Sequence, residues 1–362
     1  MAPVAVSAPG KLILMGEHAV VYGRPALAAA IDLRLRVHLS PLSAGAGASV
    51  RLDLPGLPHA EETPWGEVLA HARAARANWE AYAREPGPER FRAVRGEDPA
   101  HLVKAALGEA AEALGDAAPP GLRLRVDSAL PVGSGFGSSA ATAAGVVAAY
   151  LAFRGEDLDL NRVERIALEA ERRQHGLPSG IDGATVIHGG LLWARKLDGG
   201  LAAEPIPLRS PLLSHLRVYD TGTPAESTGA VVAAVRQGRD KHPERHERIL
   251  DHIEAAARAF RQELERGEED PARVRELIAG CESCLEDLGV VPPEIRALVR
   301  RIEAEGGAAK ISGAGSLAGP GAGSLLVYDP DPERIAGWSF LRPFPYHPVH
   351  LGAPGLRLET DA

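Results

Sequence analysis

The alternation of apolar and polar positions divides the 362-residue chain into strands and helices. Residues 3–8 alternate as a strand does, 11–15 fit a second short strand, and 25–31 are apolar enough to be buried. Residues 32–39 (DLRLRVHL) alternate again; 40–49 are a turn of small residues, and 50–54 are expected to close a hairpin. A helix is predicted over 61–84, and Asp98 caps another that runs to about Leu114. Residues 122–126 are a strand, 140–153 a buried Ala- and Val-rich helix, and 158–173 an amphipathic helix with Asn161 as a candidate cap. Residues 175–196 read as loop, then strand. Beyond a break at 210–215 come a strand over 216–220, helix over most of 226–284, and a helix over 292–305. Strands at 308–312, 324–328 and 347–351 complete the pattern. This is an α/β chain of the α+β kind, in two domains, 1–210 and 211–362.

The stretch PVGSGFGSSAATAA, residues 131–144, lies between a predicted strand and a predicted helix. Gly133, Gly135 and Gly137 recur at every second position around Ser134, and Ser138 and Ser139 follow where the helix begins. Glycine lets the backbone take positive φ and approach a ligand closely. A helix start offers unpaired N–H groups and the positive end of its dipole. Together they suit an anion, most often phosphate. A Walker A loop would need Gly-Lys-Ser/Thr, and a dinucleotide fingerprint would need Gly in place of Ser138. A Gly-rich turn capped by serine has the same residues, so this stretch alone leaves both readings open.

Composition narrows the classes. A net charge of −8 without a basic stripe excludes nucleic acid as a partner. No run is apolar enough for a transmembrane span, and the start lacks the pattern of a signal peptide. Cys281 and Cys284 form one CxxC in a helical pattern, which suits reduced thiols in a cytoplasmic protein better than zinc or a disulfide framework. Five lysines stand against thirty-five arginines, so each lysine calls for a reason. Lys11 and Lys310 both sit beside Gly-rich segments, where a compact charge on a thin stem fits and a planar guanidinium does not.

Three other segments carry candidate chemistry. HGLPSGID ends on Asp182, either a turn former or a general base. Glu171, on the preceding helix, is either a solvated carboxylate or, with Ser139, half of a hard-oxygen Mg²⁺ site. KISGAGSLAGPGAG, from Lys310, is a second Gly-rich turn and faces a ligand in this reading, with Gly313 and Gly315 at its start. The charge run 236–248 reads as a solvated helix surface, and His242 and His246 as an exposed pair without a third metal ligand.

Taken together, these segments resemble the GHMP kinase superfamily, and APGKLILMGEHAVVYGRPALAAAI resembles its mevalonate kinase branch in particular. PVGSGFGSSAA is similar to the superfamily's phosphate loop, HGLPSGID followed by HGGLLW to the branch's catalytic segment, and KISGAG to the third superfamily motif. The resemblance implies an N-terminal domain like that of ribosomal protein S5 and a ferredoxin-like C-terminal domain. It implies ATP-dependent phosphorylation of mevalonate to 5-phosphomevalonate, with Mg²⁺. Asp182 would be the base and Lys11 its partner. Glu17, His18, Ser179 and Thr228 would line the substrate pocket. Residues 133–139 would wrap the phosphates, joined by Gly313 and Gly315, with Ser139 and Glu171 on the metal. Two departures stand out: the third motif is longer and contains Pro320, and the arginine expected on the strand after Asp182 is Trp193, with Arg195 on the same face as a substitute. A sibling kinase acting on another small hydroxy acid or another mevalonate hydroxyl, and a nucleotide sensor without turnover, remain the alternatives. A homodimer is compatible with this reading.

Overall fold

The computed structural model describes residues 1–42, 48–116, 119–131, 133–198 and 200–360. The middle of the expected turn at 40–49 lies outside them. The first sheet contains β1 (Val4–Met15), β2 (Pro25–Pro41), β3 (Ser49–Leu54), β4 (His59–Pro64), β5 (Leu122–Ser128), β6 (Leu191–Leu197) and β7 (Gly200–Pro205). β1 is continuous, where two strands were expected. A register shift at Pro9/Gly10 absorbs the irregularity, and a side chain at Gly10 would lie 2.7 Å from the Phe136 carbonyl oxygen. β2 joins the apolar run and the alternating run into one long strand. Its first half pairs with β6 and its second with β5.

The hairpin expected for β3 forms with β4, not with β2; β3 also pairs in parallel with β5. The polar β4 was read as helix because on this strand only Thr63 is buried, which hides the period of two. The helix therefore starts later, at Trp65.

Among the described residues the first unit also holds the α-helices α1 (Trp65–Arg84), α2 (Pro88–Arg95), α3 (His101–Ala113), α4 (Ser138–Phe153), α5 (Leu160–His175) and α6 (Ile181–His188). α4 is buried on almost every side and rests on β1 and β2. Its small residues permit this: a Cβ at Gly145 would lie 2.9 Å from a Val37 methyl. Asp159, not Asn161, caps α5, accepting from the Asn161 and Arg162 amides at 3.0 and 3.1 Å. α6 replaces what read as loop. Its eight residues include Gly183 and are too few to show a helical period, and Gly180 starts it at a φ of 87°.

The second unit holds β8 (Leu216–Asp220), α7 (Thr228–Lys241), α8 (Pro243–Glu265), α9 (Pro271–Asp287), α10 (Pro293–Ala304), β9 (Ala308–Ser312), β10 (Ser324–Tyr328), α11 (Pro332–Ala336) and β11 (Tyr346–His347). Its antiparallel sheet has the order β11-β8-β10-β9, the ferredoxin-like arrangement. The strand expected over 347–351 ends at His347. The chain then leaves this unit: Leu351 bridges Ile31, Pro354 bridges Gly189, and Arg357–Leu358 pairs with β1. Residues beyond 350 thus belong with the first sheet, although the division at 210–215 put them in the second domain. His246, expected on an exposed face, is buried with Nδ1 at 3.0 Å from the His242 carbonyl.

This returning segment crosses α6 backbone to backbone. A Cβ on Gly355 would sit 2.2 Å from the Ile187 carbonyl oxygen. Gly355→Ala is therefore expected to cost about 1–3 kcal/mol of stability, read as a lowered urea midpoint. An unchanged midpoint would show that the crossing is loose.

Candidate active site

The cleft is built around Lys11. β1 carries it into the interior, and its amide donates to the Phe136 carbonyl at 2.9 Å. Its ammonium is buried and lies 3.0 Å from Asp182 Oδ1. Asp182 sits in the first turn of α6 with its carboxylate 40 % exposed, open to a ligand from the cleft.

Gly133, Gly135 and Gly137 all have φ near 80°, so the chain between β5 and α4 curls tightly before Ser138 opens the helix. The loop is clamped from behind by the second unit. Ser134 Oγ donates to Asp220 Oδ2 at 2.8 Å, and the Ser134 carbonyl accepts from the Ser324 amide and hydroxyl at 2.9 and 2.7 Å. The Ser134 side chain is thus a clamp between the units, buried away from the cleft wall.

Glu171 is buried, and no donor among the described residues bonds it. Burial, then the neighbouring Asp182, pushes its carboxyl up to about 8. One turn further along α5, His175 Nε2 lies 2.8 Å from Ser139 Oγ. Burial holds this imidazole below the usual histidine range. His175 was not singled out in the sequence; its signal was its spacing of four from Glu171, which puts both on one helix face.

A cavity of about 250 Å³ has Lys11, Glu17, His18, Gly133, Glu171 and Asp182 in its wall, and also Ser179, Thr228 and Gly313. His18 stands at a φ of 60° and its Nε2 lies 2.9 Å from the Ala314 carbonyl, while its Nδ1 and Glu17 Oε2 are buried without hydrogen-bond partners among the described residues. Glu17 pairs with Lys310, which also donates to the Ile311 carbonyl at 2.7 Å. Burial would lower the Lys310 ammonium, but Glu17 more than offsets this and holds it above the usual lysine range. Ser179 Oγ accepts from the Ile181 amide at 3.3 Å, and Ser227 caps α7 beside Thr228.

Two further expected site residues lie elsewhere. Gly315 faces the Val290 carbonyl, 2.1 Å from where its Cβ would be, and does not reach the cleft. Arg195 is exposed and donates to the Gly23 carbonyl at 2.6 Å, because β6 at that point pairs with Pro25 at the outer end of β2. Trp193 is covered by Arg258 and Arg261. Arg236, expected on a solvated surface, instead lines the cleft from α7. The extra length of the third motif turns away: Glu226 accepts from Ser316 Oγ at 2.7 Å and from the Leu317 amide at 3.0 Å. Only Gly313 and Ala314 of that motif enter the cavity wall.

A glycine loop at a helix start, set against a Lys–Asp pair that opens to the cleft on a two-sheet α/β frame, is the arrangement of the GHMP kinase fold. Residues 101–190 match the family model of the GHMP kinases N terminal domain. The mevalonate kinase of Archaeoglobus fulgidus is 32% identical over 85% of this chain and 88% of its own. That of Bos taurus is 32% identical over 99% and 95%. The chain belongs to the mevalonate kinase family of the GHMP kinases. The crystal structure of L. major mevalonate kinase in complex with R-mevalonate superposes with a TM-score of 0.66 at 22% identity, over 96% of this chain and 95% of that one.

The Lys310–Glu17 pair is wholly buried, so removing one partner strands a charge. Lys310→Met is expected to cost about 3–5 kcal/mol in urea unfolding, and adding Glu17→Gln to recover most of it. Additive losses in the double variant would show that the two groups are not coupled.

Proposed function

We propose that this chain transfers the γ-phosphoryl group of ATP to the primary hydroxyl of mevalonate, giving 5-phosphomevalonate for isoprenoid precursor synthesis. The observation that carries the reading is the Lys11–Asp182 pair at 3.0 Å, open to a cleft whose other wall is the glycine loop. A second cavity of about 440 Å³ shares Gly133, Ser138, Ser139 and His175 with the first and continues to Leu54, Leu57 and Val103. Its apolar wall suits the nucleoside, so that the phosphates cross the loop towards Asp182.

An alcohol is a poor nucleophile, and its proton must leave as the phosphoryl group arrives. Asp182 accepts that proton while the hydroxyl oxygen attacks the γ-phosphorus and ADP departs. The Lys11 ammonium, 3.0 Å from Asp182 Oδ1, orients that carboxylate and favours the developing alkoxide. The N–H groups of the loop and of the α4 start hold the phosphates. Glu17 and His18 bear on the substrate, as do Ser179 and Thr228.

The donor set fits Mg²⁺. Glu171 is a buried carboxylate without a donor of its own, Asp182 adjoins it, and the Ser139 hydroxyl is available from α4. Such an ion would neutralise charge on the phosphoryl oxygens. No helix among the described residues is long and apolar enough to cross a membrane. Cys281 and Cys284 are free thiols, which accords with a reducing cytoplasm. A homodimer remains compatible with the reading.

The test is ATP turnover with mevalonate, phosphomevalonate, galactose and homoserine, with the phosphorylated position assigned by phosphorus NMR. Mevalonate phosphorylated at its primary hydroxyl is expected. ATP binding without turnover of any of the four would favour a sensor.

Asp182→Asn keeps the shape and removes the base; single-turnover phosphorylation is expected to fall at least ~10²-fold, with ATP affinity little changed. Lys11→Arg should also be harmful, since a planar fork does not fit an ammonium's place. Near wild-type phosphorylation by Asp182→Asn would remove it as the base. Glu171→Gln should raise the Mg²⁺ concentration needed for half-maximal rate; an unchanged requirement would leave Glu171 a structural carboxylate.

A further inference from the structure

The face of α7 that borders the cleft carries Thr228, Gly229, Val232, Ala233 and Arg236, the spacing of one helical stripe. The helix is held there because Gly229 lies against Phe91: a Cβ would come within 2.3 Å of the ring. Arg236, two turns in from Thr228, therefore projects from a fixed support.

Most arginines near this end of the cleft have carboxylate partners. Arg239 pairs with Glu247 at 2.6 Å, Arg24 with Asp251 at 2.6 Å, and Arg172 with Glu169. Arg236 is different. Among the described residues no carboxylate makes an ion pair with it, nor with Lys196, whose ammonium lies 3.4 Å from the Pro178 carbonyl beside Ser179. Lys196 is held below the usual lysine range by burial and by the charges of Arg236 and Arg172. Arg236 is thus a half-buried cation of the cleft wall without a carboxylate partner among the described residues, while Lys196 lines an adjoining cavity with Ser179 and Gly180. At the cleft's other end the charge is already matched, since Lys11 is taken by Asp182 and Lys310 by Glu17.

We propose that Arg236 binds the carboxylate of the acceptor substrate and so selects for an acid over a neutral alcohol. The inference rests on the kinase reading above. A substrate with its hydroxyl at Asp182 and its carboxylate at Arg236 spans the cavity in one direction only. A hydrogen-bonded charge pair between guanidinium and carboxylate fixes that direction, so Arg236 governs binding while Asp182 governs the chemical step.

The experiment compares mevalonate with the triol in which its carboxylate is replaced by a hydroxymethyl group. Arg236→Gln is expected to lower kcat/KM for mevalonate about 10–100-fold, mainly through KM, and to leave the triol nearly unchanged. Arg236→Lys should restore part of the loss. Equal losses for both substrates, or an unchanged KM for mevalonate, would overturn the inference. If the wild-type enzyme phosphorylates mevalonate and only this discrimination fails to depend on Arg236, the inference falls alone. If the wild-type enzyme does not act on mevalonate, the kinase reading falls with it. ATP binding by each variant, measured separately, distinguishes a misfolded protein from a lost substrate contact.

Discussion

Everything in the cleft depends on how closely the glycine loop lies against β1. A Cβ on Gly137 would be 2.8 Å from Lys11 Cγ, and one on Gly135 would be 3.1 Å from the Ser312 carbonyl oxygen. Backbone meets backbone or side-chain stem with no room for an added carbon. The Lys11 amide and the Phe136 carbonyl close the contact with a hydrogen bond. The same few ångströms therefore hold the helix start that suits phosphate and the ammonium that faces Asp182. Positioning of this kind supplies much of the catalysis in phosphoryl transfer, where the protein does little covalent chemistry.

The seam between the two units is polar and buried. Ser312 Oγ both donates to the Ile13 carbonyl and accepts its amide, at 2.9 and 3.0 Å, two residues from Lys310 and its partner Glu17. Buried polar groups are costly unless matched, so these bonds fix one registry between β1 and β9. The scarcity of lysine acquires its meaning here. Lys11 and Lys310 pass through close-packed walls to one carboxylate each, which a thin stem allows and a guanidinium fork does not.

Much of this was legible in the sequence. The glycine spacing at 133–137, the carboxylate of Asp182 and the resemblance of the first segment to one kinase branch point to the same cleft that the fold assembles. What the sequence concealed has physical causes. α6 is too short to show a period, and the polar edge strand β4 buries only Thr63, so neither left a pattern to read. Arg195 seemed a substitute for a missing cation because alternate residues share a face of a strand; which end of the strand reaches the cleft is decided by pairing with β2, a long-range fact. Arg236 looked solvated because a run of charges on a helix usually is. Only the packing of α7 on Phe91 turns it inward.

The pairing of Arg357–Leu358 with β1 bears on how the protein is made. β1 spans Val4–Met15, and the strand that covers its outer edge, Arg357–Leu358, is made more than three hundred residues after it. Until then the edge around Val6 and Ser7 presents unpaired amides and carbonyls, the kind of edge that recruits other chains. Contacts of such long sequence separation form slowly. During synthesis the nascent first sheet is therefore exposed to mispairing for as long as the second unit takes to emerge, and the stretch that ends this exposure is the two-residue strand that follows the crossing over α6.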